Sequence, residues 1–115
     1  MRSDLERIKD MHESIANIER YAARGKDAFF EDELIQTWML YHLQILGEAA
    51  RAMSQDLKDR YPNIEWHKII AFRNLAVHEY FQVDLNIVWR IVEQELSLLK
   101  RDIESILLYF SEHTE

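Results

Sequence analysis

Two glycines and one proline in 115 residues leave this chain few places to turn. Chain reversals lean on those residue types, so their scarcity predicts a small number of long helices. The apolar spacing agrees. Ser3-Asp4-Leu5-Glu6 reads as a capping box, and Leu5, Ile8, Met11, Ile15, Ile18 and Ala22 then recur every three or four residues as far as Gly25. A second helix is expected from Asp32, with Leu34, Trp38, Tyr41, Ile45, Ala49 and Ala52 on its buried side. The polar run 54–59 and Tyr61-Pro62-Asn63 interrupt the pattern. A third helix restarts at Ile64 or Glu65 and is apolar nearly all round through Trp66, Ile69, Ile70, Phe72, Leu75, Ala76 and Val77. Asp84 is the expected N-cap of a last helix, whose stripe is Leu85, Val88, Val92, Leu96, Leu99, Ile103, Ile106 and Phe110. At about 26 residues it would run roughly 39 Å, with Ser97 as the place for a bend. The reading is all-α: an antiparallel four-helix bundle forming one domain over residues 1–115, its last helix bent or split.

Composition removes several kinds of chemistry. Without cysteine there is no disulfide, thiolate metal site or cysteine nucleophile. No metal site is expected from the histidine and carboxylate spacing, and without a glycine-rich phosphate loop no cofactor is either. No apolar run is long enough to span a bilayer and the amino terminus shows no signal core, so a cytoplasmic protein is expected. A net charge of -7 opposes general attraction to nucleic acid. Any RNA contact must therefore be local, and Arg51, Lys58, Arg60, Lys68 and Arg73 are the cations near enough in sequence to supply it.

Polar residues on the apolar third helix need a reason to be there. The stretch Phe72-Arg73-Asn74-Leu75-Ala76-Val77-His78-Glu79-Tyr80 puts an arginine, an amide, a histidine and a phenol within about two turns. Asn74 and His78 share a face, whereas Arg73 and His78 stand about 140° apart on an ideal helix and converge only if the arginine wraps round or the helix end departs from regularity. If they converge, a permanent five-donor cation stands beside a side chain that exchanges protons near neutral pH, a pair suited to phosphate. On the preceding helix, Glu48 falls among apolar positions: either it pairs with a cation, Arg73 first, or it reaches water. Gly47, Ala49 and Ala50 beside it are small enough for a tight helix crossing. His12, His42 and His67 are read as structural.

Arg73-x4-His78-x-Tyr80 with Asn74 after the arginine closely resembles the signature of the HepT-like toxins of the HEPN superfamily. Agreement extends over nearly the whole chain, through Ile45-Leu46-Gly47-Glu48-Ala49-Ala50, Tyr61-Pro62-Asn63-Ile64-Glu65-Trp66, and Val83-Asp84 followed by Val88-Trp89. The resemblance implies a HEPN-like bundle and a metal-independent endoribonuclease with a composite site across a homodimer, with dimers open to further pairing. It also implies a cognate minimal nucleotidyltransferase antitoxin that adenylylates the motif tyrosine, Tyr80. Arg73 and His78 would be catalytic, Asn74 would orient the imidazole or bond the phosphate, and Glu48 would support them. RNA can be cut without a metal when its 2′-hydroxyl attacks the adjacent phosphorus, given an acid, a base and positive charge on the phosphorane. One motif histidine per chain makes a symmetric pair of copies useful for that work. Two other readings stand beside this one: a catalytically silent helical module that binds a nucleotidyltransferase, and a purely structural oligomerising bundle.

Overall fold

The computed structural model describes residues 3–78 and 84–113, with helical backbone but no described side chains at 75–78. Among the described residues there are seven helices and no strand: α1 (Asp4–Ala22), α2 (Lys26–Glu31), α3 (Glu33–Ala52), α4 (Gln55–Arg60), α5 (Trp66–His78), α6 (Leu85–Gln94) and α7 (Leu96–His113). The all-α expectation holds. α1, α3, α5 and the α6–α7 arm are the four long segments, and the links between them hold two short helices that the apolar spacing did not announce.

Local chemistry sets the boundaries. The Ser3 hydroxyl accepts from the Glu6 amide and starts α1, and the Asp32, Ser54 and Asp84 side chains do the same for α3, α4 and α6. α1 stops at Ala22, three residues before the expected end. Gly25 then begins α2 with φ of 96°, a backbone angle that a side chain would strain. The predicted bend in the last helix is a break at Glu95, two residues before Ser97.

Side-chain bonds give the helix directions. Asp4 at the start of α1 accepts from the Ser54 backbone amide (3.0 Å) and hydroxyl just beyond α3, while Trp38 early in α3 donates to the Asn17 carbonyl late in α1 (2.8 Å). α1 and α3 are thus antiparallel. His12 with Glu104 (3.0 Å) and Glu19 with Lys100 (3.1 Å) show that α1 and α7 are antiparallel as well. The core between them contains Ile8, Met11, Ile15 and Ile18 of α1, Met39, Leu43 and Leu46 of α3, and Ile103 and Ile106 of α7, all without exposed surface. Each such side chain contributes about 1.5–3 kcal/mol by leaving water.

α3 corrects the sequence reading. Its buried residues are Ile35, Met39, Leu40, His42, Leu43, Leu46, Gly47, Ala49 and Ala50; of the expected stripe only Ala49 is among them. Leu34 is 81% and Tyr41 57% exposed. α3 is sandwiched between α1 and α5 and must bury a broad face against both. That demand turns the Leu34, Tyr41, Ala52 edge outward.

Candidate active site at the crossing of two helices

The site is built where α3 and α5 cross. A Cβ placed on Gly47 would stand 2.5 Å from the Arg73 Cβ, 2.6 Å from its backbone nitrogen and 3.0 Å from its Cα. Only hydrogen fits between the two backbones, so Gly47 fixes where Arg73 leaves α5. One residue along α3, Glu48 Oε1 lies 3.7 Å from Arg73 Nε and accepts from Gln44 Nε2 at 3.2 Å.

That pairing is loose. Half of the Glu48 side chain and a quarter of the Arg73 side chain are exposed, and 3.7 Å is too long for a hydrogen bond. Exposed pairs of this kind contribute at most about 1 kcal/mol. Both sequence alternatives for Glu48 are therefore realised together: it faces the predicted cation and it reaches water. A structural lock would have consumed the guanidinium fork, whereas here its two terminal nitrogens stay available to an anion among the described residues. Glu48, Arg51, Ala52 and Arg73 line an open cleft of roughly 400 Å³.

Of the five cations named from the sequence, Arg51 joins Arg73 in this cleft. The others are not among its walls. Lys68 bonds Glu95 at 2.7 Å, which raises its pKa through that bond and the charge behind it. Arg60 lies over the Tyr109 ring, and Lys58 donates to the Arg51 carbonyl. Asn74 is exposed beside Arg73, free to turn toward a ligand. α5 remains helical through His78, so Arg73 and His78 keep their offset of about 140° around the axis. The His78 side chain, Tyr80 and Val83 lie outside the described residues.

His42, read from the sequence as structural, is buried in the fold. It is 6% exposed, stands between the Trp38 and Tyr41 rings at 4.5 and 5.0 Å, and neither ring nitrogen has a hydrogen-bond partner among the described residues. Burial lowers its pKa from the ordinary 6.5, Glu13 pulling it back up and Arg20 adding to the fall. The imidazole is held without compensation, and its burial disfavours the charged form. Its spacing agrees with that burial, since His42, Leu46 and Ala49 share one face of α3. His12 is bonded to Glu104 and His67 is exposed.

Residues 11–106 match a family model described as ribonuclease HepT-like. This chain belongs to the HepT-like family. The probable ribonuclease HepT of Thermococcus cleftensis is 30% identical over 109 residues, covering 91% of this chain and 96% of that one. A candidate RNase of Methanocaldococcus jannaschii is 30% identical over 78 residues, 68% of this chain and 72% of the other. A second protein of that organism, named as a gamma-glutamylcyclotransferase and candidate RNase, is 29% identical over 109 residues; the HepT-like chain covers 93% of itself but 49% of that longer protein. No solved structure gives a significant match. Among the described residues, no helix of this HepT-like chain is long and apolar enough to cross a membrane.

Proposed function

We propose that this chain is a metal-independent endoribonuclease, the toxin of a toxin–antitoxin pair, cutting RNA by attack of a 2′-hydroxyl on the neighbouring phosphorus. The 5′-oxygen leaves and a 2′,3′-cyclic phosphate remains. The observation that carries this reading is Arg73, whose backbone is seated against Gly47 while its guanidinium is only loosely engaged by Glu48 beside an open cleft. Arg73 stabilises the charge on the phosphorane, His78 moves protons, and Asn74 orients the imidazole or bonds the phosphate. Family membership and the names of the relatives support an RNA substrate.

The offset between Arg73 and His78 on one helix favours a site completed by a second copy, in which one chain's arginine works beside the other's histidine. A homodimer is accordingly part of the proposal. So is silencing by a nucleotidyltransferase, which would transfer AMP from ATP to the Tyr80 phenol with release of pyrophosphate. The added bulk and phosphate charge would compete with RNA for Arg73.

The test is cleavage of varied RNAs with EDTA present, comparing wild type with His78→Ala. Cyclic-phosphate ends from wild type alone support the mechanism. A folded, unmodified dimer that cuts nothing refutes the activity and leaves the nucleotidyltransferase-binding module in its place. Tyr80→Phe is expected to cut normally and to escape silencing by the partner and ATP. Continued silencing of that variant would remove Tyr80 as the acceptor.

A further inference from the structure

Away from Arg73, α1 and α3 form a second concavity with a different character. Tyr21, Arg24, Asp32, Leu34, Ile35, Thr37, Trp38 and Tyr41 line a cleft of about 540 Å³. Tyr21 and Trp38 meet edge to face at 5.3 Å. Two guanidinium groups lie over these rings: Arg24 at 4.7 Å from the Tyr21 centroid, and Arg20 at 5.6 Å from Tyr21 and 5.8 Å from Trp38. Neither arginine is paired with a carboxylate among the described residues, and both are exposed. The Asp32 carboxylate in the wall is turned to the Leu34 amide at 2.9 Å.

Two arginines over the half-buried Tyr21 and Trp38 rings, next to the exposed Tyr41 in a chain of net charge -7, call for an occupant that is anionic yet has flat apolar faces. An unpaired nucleotide is such an occupant: its base stacks on aromatic or guanidinium planes while its phosphate meets the charge. The cleft also leads to the crossing. Tyr41 is a wall of both this cleft and the next, and Glu48 and Ala52 are walls of both that next cleft and the one at Arg73. From Tyr41 to Glu48 α3 rises about 10 Å, within reach of a short run of extended strand.

We propose that the Tyr21, Trp38, Tyr41 cleft is a base-stacking subsite for single-stranded RNA, holding an unpaired nucleotide of the substrate while the strand runs along α3 to Arg73. This rests on the RNase reading above. The middle cleft sets three carboxylates, Asp10, Glu13 and Glu48, against one cation, Arg7, so the strand crosses it with bases inward and phosphates toward solvent. Exocyclic amines of the bases then face carboxylates. Duplex RNA, whose bases are already stacked and paired, is not accepted.

The experiment measures anisotropy of a labelled, unstructured oligoribonucleotide bound to full-length His78→Ala, with and without Tyr41→Ala, alongside sedimentation of each variant. Tyr41 is 57% exposed, so its removal spares the core. Tyr41→Ala is expected to weaken binding roughly fivefold to a hundredfold, the range for one stacked base, while Tyr41→Phe retains it. Arg20→Ala and Arg24→Ala are expected each to flatten the salt dependence of binding. Unchanged affinity in Tyr41→Ala overturns the subsite. So does a Tyr41→Ala protein that sediments as a smaller species than its parent, because a second copy then covers this face. If wild type cuts RNA and Tyr41→Ala in that background cuts with the same KM, the subsite fails and the RNase reading stands. If wild type cuts nothing while binding still depends on Tyr41, the reverse holds.

Discussion

Gly47→Ala tests the crossing that holds Arg73 in place. The new methyl carbon would stand 2.5 Å from a Cβ and 2.6 Å from a backbone nitrogen, so no side-chain rotation relieves it. Ordinary contact between carbon atoms needs about 3.5–4.0 Å, and α5 must therefore retreat by about 1 Å at Arg73. Overpacking of this kind costs about 1–3 kcal/mol, toward the upper end here because backbone is what must move. Replacing glycine by alanine in a helix returns about 1 kcal/mol. The net expectation is a loss of about 1–2 kcal/mol, read as a lower midpoint in urea at unchanged slope. Cleavage should fall much further, on the order of a hundredfold, because a displacement of about 1 Å misplaces the phosphate-binding cation. Gly25→Ala is the control: nothing lies within 4 Å of its added carbon, but its positive φ of 96° remains. It is expected to lose about 1–3 kcal/mol through backbone strain and to leave the activity of the folded fraction intact. A Gly47→Ala protein as stable as wild type and equally active would refute the close crossing as the device that seats Arg73.

Other outcomes follow from the same geometry. His42→Leu is expected to stabilise the fold by about 1–3 kcal/mol, since two unbonded ring nitrogens leave the interior. The gap should widen with acid. The folded pKa of His42 lies below the ordinary 6.5, so the unfolded chain takes up the proton first and stability falls as pH drops from 6.5 toward the folded value. Urea midpoints of the two proteins on either side of that window measure the difference, and parallel curves would show that His42 does not titrate on unfolding. Ser54→Ala should lower stability by about 1–2 kcal/mol, because one hydroxyl both caps α4 and bonds Asp4 of α1; an unchanged thermal midpoint would contradict this. Arg73→Lys should cut RNA at least about tenfold more slowly despite its retained charge, since the guanidinium fork is lost. Near-normal turnover would reduce Arg73 to a generic cation.

Helices with a single apolar stripe were legible in the sequence. The α1 stripe from Ile8 to Ile18 and the α6–α7 stripe from Val88 to Ile106 are buried where their spacing put them. α3 was not, because it buries a broader face than one stripe, against α1 and α5 together, and its aromatic edge mimics a core stripe. The close crossing was foreseeable from Gly47, Ala49 and Ala50, since small residues on a long helix have few other uses. That Arg73 would meet Glu48 was legible; that the pair would be long and half wet was not, because exposure depends on where α5 sits around α3. The arginine-and-ring cleft could not be read at all, as it joins Arg20 and Arg24 of one helix end to Trp38 and Tyr41 of another.

The break at Glu95 leaves the hydrophobic phase untouched. Val88, Val92, Leu96, Leu99, Ile103 and Ile106 keep stepping by three and four across it, so the pattern still describes a single rod although the backbone is two. Straightening the rod would still draw α6 off its neighbours, Trp89 from the Phe29 ring at 5.4 Å among them, so packing holds the angle at the joint. Lys68 of α5 adds a polar contact at the same place, bonding Glu95 at 2.7 Å. The helix that carries Arg73 is thereby tied, near its other end, to the joint of the C-terminal arm.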